Sequence, residues 1–132
     1  EYFYPKLEHR ISNVNYHHSF KENVNTFDYW GSFKYKFITN SLGFKDNFNR
    51  NINNQTDQFK RVILIGDSFT EGVPFNNNDD IAGKIMFKTN YNVGNFGVNG
   101  TGPFMSLAIT KEYASRLKPK NVFYLFWASM SF

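Results

Sequence analysis

Gly66-Asp67-Ser68-Phe69-Thr70-Glu71-Gly72 sets a hydroxyl between two glycines and beside two carboxylates. The segment follows directly on Arg61-Val62-Ile63-Leu64-Ile65, a short apolar, β-branched run. Such a run reads as a strand buried on both faces of a parallel sheet. Ligands of open parallel sheets bind at the carboxyl ends of the strands, so Ser68 stands where a nucleophile is useful. A tight turn there would lift its hydroxyl above the sheet and leave its own N–H free for a substrate oxygen. The competing role for Ser68 is a plain helix cap, which serine also does well.

Other chemistries fit less well. A G-x-S-x-G nucleophile elbow needs glycine where Thr70 stands. A flavodoxin-like phosphate loop would set Glu71 against the phosphate. The chain has no cysteine, which excludes disulfide scaffolds, cysteine zinc sites and thiol nucleophiles. The three histidines, His9, His17 and His18, all precede Ser68. Neighbouring side chains on an extended segment point to opposite sides. His17 and His18 are therefore expected to serve surface or packing roles rather than share a metal, and no metal or organic cofactor is implied.

The elements that would position Ser68 follow from the pattern. Phe33-Lys34-Tyr35-Lys36-Phe37-Ile38 alternates at period two, a half-buried strand, and Asn40-Ser41-Leu42-Gly43 reads as a turn. Residues 1–32, rich in Asn, Tyr and Phe, are expected to be mostly irregular. Asp79 and Asp80 cap a helix running to about Lys88, with Ile81, Ile85 and Met86 as its apolar stripe. Tyr91 to Phe96 reads as a strand, and Gly97, Gly100 and Gly102 mark a loop. Pro103 suits a first helical turn. Leu107, Ile109, Tyr113, Ala114 and Leu117 carry that helix to before Pro119. Asn121 to Trp127 is a third apolar strand. The order β-α-β-α-β implies right-handed crossovers and a parallel, doubly wound α/β sheet.

Length and charge bound the rest. The chain has 132 residues, enough for one domain or part of one. A content of 41% hydrophobic and 20% aromatic residues supports a packed core. Residues 1–60 carry 8 − 6 = +2 and residues 61–132 carry 7 − 5 = +2. Signs are interleaved in both halves, so the pI of about 9.3 reflects a mixed solvated surface and not a nucleic-acid patch. No apolar run approaches the ~18 residues of a membrane span, no signal peptide is legible, and nothing fixes the compartment.

The segment 66–72 after Val62-Ile63-Leu64-Ile65 resembles the first sequence block of the SGNH, or GDSL-like, hydrolases. Asn95-Phe96-Gly97-Val98-Asn99-Gly100 resembles their second block. Thr39-Asn40-Ser41-Leu42-Gly43-Phe44-Lys45-Asp46 resembles the lead-in of one bacterial branch, as does the His17-His18 pair. The resemblance covers roughly residues 33–127. It implies a three-layer, flavodoxin-like α/β/α domain, incomplete here, over residues 61–132, with residues 1–60 packed on it as an extension. It implies that Ser68 attacks an ester and forms an acyl-enzyme. The oxyanion would be held by the N–H groups of Ser68 and Gly100, where a side chain would crowd the substrate. Asp67 and Asn99 would lie against that substrate, a small-molecule, carbohydrate or lipid ester.

Two departures stand out. The third family block supplies an Asn as a further oxyanion donor, and the matching place here is at or beside Ser129. The family base is a C-terminal His with an Asp three residues before it, yet no His follows Ser68. The expectation is therefore a serine ester hydrolase whose base belongs to a missing C-terminal part of the same domain. The alternative is a non-catalytic binding module on that scaffold. An unrelated α/β protein in which Ser68 is only a cap is the third reading. A sheet ending at Trp127 should also leave Phe123, Leu125, Phe126 and Trp127 partly uncovered.

Overall fold

A computed structural model describes residues 8–47, 51–52 and 62–128. The expectation of irregular chain before residue 33 is corrected over residues 10–30. There β1 (Arg10–Asn13) pairs antiparallel with β2 (His17–Phe20), and β3 (Asn25–Trp30) pairs antiparallel with β4 (Phe33–Ile38). The Asn13 side chain closes the first turn by accepting from the N–H groups of Asn15 (2.9 Å) and Tyr16 (3.3 Å). Asn is thus a turn former here, and the turn enables a hairpin.

β3 hides its polarity. Asp28 faces inward while Phe27, Tyr29 and Trp30 face out. Across the pair, Lys34 and Lys36 lie over the Phe27 ring at 4.3 and 4.8 Å. These cation–π contacts partly cover the outward aromatics. β4 keeps its expected alternation, burying Tyr35 and Phe37.

The turn after β4 is held by buried Asn40. Its side-chain carbonyl accepts from the N–H groups of Leu42 (3.0 Å) and Phe44 (3.3 Å), and its amide donates to Asp46 (2.9 Å). Gly43 takes φ +73° and its Cα lies against the Phe20 carbonyl, where no side chain fits.

The second half is the expected mixed α/β arrangement. β5 (Val62–Gly66), β6 (Val93–Gly97) and β7 (Asn121–Leu125) form a parallel sheet in the order β6-β5-β7. Helices α1 (Ser68–Glu71), α2 (Ile81–Lys88) and α3 (Pro103–Leu117) connect them. Every residue of β5 and β6 is buried; for β5 that is what an apolar central run requires. The two faces of β5 serve different clusters. Val62 and Leu64 meet Ala82, Val93, Ile85 and Met86. Ile63 and Ile65 meet Ile109 and Tyr113 of α3, together with Tyr16, Phe20, Phe37 and Phe44 from the hairpins and the lead-in turn. Phe44 packs on Phe96 at 4.2 Å and on Tyr113 at 5.0 Å.

Two helical stripes depart from expectation. α2 buries Ala82 and Gly83 rather than Ile81, because its backbone lies against Asn77 and Asn78. On α3 the buried line is Ser106, Ile109 and Tyr113, with Leu107 and Phe104 outside. Asp80 is the α2 cap, accepting from the Gly83 N–H at 2.7 Å. α3 begins at Pro103, but its cap position, Gly102, offers no side-chain acceptor. Gly102 is extended and a Cβ there meets nothing within 4 Å. Gly102→Ser should therefore stabilise the protein by about 0.5–1 kcal/mol, a few tenths from the cap and the rest from the freedom glycine gives the unfolded chain, read from the urea midpoint at constant m-value.

β7 is the uncovered edge. Val122, Phe123 and Tyr124 are exposed, as are Phe126 and Trp127 beyond it. Such an apolar edge favours association. Among the described residues, no helix is long and apolar enough to cross a membrane.

Candidate functional site

Chain direction places Ser68 at the carboxyl end of the central strand, as the first residue of α1. The cap of that helix is Asp67, whose carboxylate accepts from the Phe69 N–H at 3.0 Å. The capping role considered for Ser68 is thus filled by its neighbour. Ser68 is half-buried. Among the described residues, neither its hydroxyl nor its N–H is engaged in a hydrogen bond. A first-turn helical N–H has no intrahelical acceptor, so this one is available to a ligand.

The β5–β6 register sets Gly66 beside Gly97. This brings the turn after β5 against the loop after β6. Val98 donates to the Gly66 carbonyl at 3.0 Å, and the Thr101 hydroxyl reaches the same oxygen at 3.1 Å. α1 lies so close to β6 that a Cβ on Gly97 would stand 2.7 Å from the Thr70 Cβ and nearer still to the Glu71 backbone. Gly100 has φ +79°, and its N–H is likewise unengaged among the described residues. The crowding reason expected for Gly100 is revised. A Cβ there would make only ordinary contact with His18, at 3.5 Å, so the left-handed backbone is what favours glycine.

Beneath these turns lies an ionic cluster with no local signature in the chain. Fully buried Glu71 accepts from Arg10 Nη2 at 2.8 Å and from the Asn99 N–H at 2.6 Å. Arg10 Nη2 also donates to Asp28 Oδ2 at 2.7 Å. That oxygen further accepts from Tyr35 OH (2.9 Å) and His9 Nε2 (3.2 Å). Burial opposes the charge on Arg10, but Glu71 and Asp28 outweigh it and raise the guanidinium above its usual value. Burial likewise works against the Asp28 carboxylate. The hydrogen bonds from His9 and Arg10 prevail and hold it well below the usual range. The guanidinium also sits 4.9 Å over the Phe20 ring.

A second buried pair supports the chain after α1. Lys45 donates to the carbonyls of Gly72 (3.0 Å) and Phe75 (2.7 Å) and lies 3.7 Å from Asp80. Burial pushes Asp80 up to about 6 against the pull of Lys45, and burial lowers Lys45. The lysine of the lead-in thus anchors the loop that leaves the Ser68 turn.

His17 and His18 depart from the expected opposite sides. His17 has φ +71°, which breaks the strand alternation, and the two Nδ1 atoms meet at 2.9 Å. His18 Nε2 donates to the Asn99 carbonyl. His18 and Glu71 thus hold both sides of Asn99. His9 and His18 are committed elsewhere, to Asp28 and Asn99, and neither is bonded to Ser68.

Exposed aromatics flank the site. Phe69 stacks on Trp127 at 5.2 Å, and a cleft of about 490 Å³ is lined by Arg10, Asp28, Tyr29, Trp30, Val73 and Asn99. Ser129 lies outside the described residues. The structure therefore brings Ser68, Asp67, Gly100 and Asn99 to two adjoining turns. Sequence reasoning missed Arg10, Asp28 and the structural use of Glu71. No short window of the sequence signals them, since the partners lie 18 and 61 residues apart. No protein-family model matches the chain, and no curated protein matches it either.

Proposed function

We propose that this chain carries the nucleophile turn of a serine ester hydrolase of the SGNH type, on a flavodoxin-like sheet. The observation that carries the reading is Ser68 at the end of the central strand. Its hydroxyl and N–H are unclaimed among the described residues, and the Gly100 loop adjoins it through Val98 and Gly66. Ser68 attacks the ester carbonyl and forms an acyl-enzyme. The N–H groups of Ser68 and Gly100 receive the oxyanion. The proton passes to a general base; in the family that the segment resembles this is a histidine, and no His follows Ser68 within residues 1–132. Half-buried Asn99 and the adjoining cleft border the substrate.

A second reading, a binding module without catalysis, is favoured by the departure at the third block, where Trp127-Ala128-Ser129-Met130-Ser131 holds no Asn. One experiment separates the two. Full-length protein is treated with a fluorophosphonate probe and located by peptide mass. Hydrolysis of a short-chain aryl ester is measured in parallel. The hydrolase gives a single adduct on Ser68. Ser68→Ala abolishes it and lowers kcat/KM by at least about 10³-fold. Absence of both labelling and hydrolysis in the unaltered protein overturns the enzyme and leaves the binding module.

A further inference from the structure

The histidine pair on β2 and the loop after β6 are 81 residues apart in sequence, yet they meet at a single peptide group. A carbonyl oxygen only accepts, so the His18 Nε2 facing the Asn99 carbonyl carries its proton. A neutral His18 then has a bare Nδ1. The His17 Nδ1, 2.9 Å away, is the donor that fills it. With His18 neutral, the order of donation runs from His17 to His18 to the Asn99 carbonyl. His17 is exposed and His18 half-buried, so the relay runs inward from solvent.

The peptide that accepts this bond is the one whose N–H belongs to Gly100. A trans peptide is planar, and its C=O and N–H point in opposite directions. Holding the Asn99 carbonyl on one side therefore aims the Gly100 N–H to the other. The preceding peptide is held as well, because the Asn99 N–H donates to Glu71 at 2.6 Å. Glycine with φ +79° is where a peptide plane flips most readily, since both signs of φ are open to it. A clamp is needed at this place more than at any ordinary residue. A hydrogen bond to the carbonyl also polarises the peptide and strengthens its N–H as a donor.

We propose that His18 is a positioning residue. Its Nε2–H fixes the Asn99–Gly100 peptide so that the Gly100 N–H is held ready for a substrate oxyanion, and His17 holds His18 in the tautomer this requires. The clamp itself follows from the contacts, and its purpose rests on the hydrolase reading of Ser68.

The test compares His18→Phe, which keeps a ring but loses the donor, with His18→Gln, whose amide can still donate to the carbonyl. Three quantities are read on the full-length protein. They are the exchange rate of the Asn99 amide by NMR, which donates to buried Glu71 and is freed only when this loop opens, the rate of Ser68 labelling by a fluorophosphonate, and the melting temperature. His18→Phe should speed Asn99 exchange at least about 10-fold while the amides of β5 stay protected. It should slow labelling about 10- to 100-fold, the scale of a misplaced catalytic group. His18→Gln should recover most of both. Unchanged Asn99 exchange in His18→Phe overturns the clamp. Equal losses in both variants, tracking a fall in melting temperature, show a merely structural contact and also overturn it. Absence of labelling in the unaltered protein overturns the hydrolase reading and with it the catalytic purpose, while the exchange measurement still decides the clamp.

Discussion

Arg10→Met should cost about 3–5 kcal/mol of folding stability at neutral pH, the scale of a buried ion pair that loses one partner. Glu71 and Asp28 are 0% and 1% exposed, and Arg10 is the cation between them. Methionine fills much of the space over Phe20 but leaves two carboxylates facing each other in the core. In the unaltered protein Asp28 titrates below its ordinary 3.8, because hydrogen bonds from His9 and Arg10 prevail over burial. A depressed acid contributes stability that is present above about pH 4 and lost as pH falls below it. Without Arg10, burial acts on Asp28 with less to oppose it and favours the protonated form. The variant is then relieved by acid while the unaltered protein is weakened by it. The difference between the two, from urea titrations at pH 7 and pH 4, should shrink at the lower pH. A difference under 1 kcal/mol at pH 7, or one independent of pH, would show that the cluster is not a coupled ionic unit.

Gly97→Ala is the second large effect. The added methyl would stand inside contact distance of the Glu71 N–H and the Thr70 backbone, neither of which is a flexible side-chain end. Overpacking of this kind costs roughly 1–3 kcal/mol, and backbone neighbours put the expectation near the upper end. Gly31→Ala is the control. Gly31 has φ +58° with nothing within 4 Å, so alanine there reports backbone strain alone, about 1–2 kcal/mol. Because α1 must shift to admit the methyl, Gly97→Ala should also expose amides at residues 68–72 to exchange. A loss below 1 kcal/mol for Gly97→Ala would mean that α1 is not pressed on β6.

The elements that sequence reasoning found are those whose signal is local. β5 is a continuous β-branched run, α2 has its Asp80 cap, and α3 opens on Pro103 and stops before Pro119. β4 alternates at period two, with Tyr35 and Phe37 inward. The exposed β7 edge also followed from the apolar run and its position at the end of the sheet. The first three strands were not legible, because β1 and β2 have only four residues each and the inward residues of all three are set by tertiary partners. Asp28 points to the core only because Arg10 and His9 meet it there. Ile81 was misassigned to the stripe of α2, since a backbone pressed on Asn77 and Asn78 selects glycine and alanine over larger residues. Ser68, Gly100, Asp67 and Asn99 were all picked out on two motifs. What holds those motifs was invisible, since Arg10 and Glu71 are 61 residues apart and no short window contains both.

The stitching of the hairpins to the sheet bears on how the protein is made. Tyr16 meets Tyr113 across 97 residues, His18 meets Asn99 across 81 and Arg10 meets Glu71 across 61. A ribosome delivers the hairpins first, and their counterparts emerge only later. During that interval Phe20, Phe37 and Phe44 have no Phe96 or Tyr113 to cover them, and Arg10 has no Glu71. Two-stranded hairpins are marginal alone, and closing such long loops comes before any reward from the contacts. Vectorial synthesis thus leaves an aromatic, partly formed front waiting for its sheet, a stretch well suited to a chaperone that shields apolar chain until residue 113 is out.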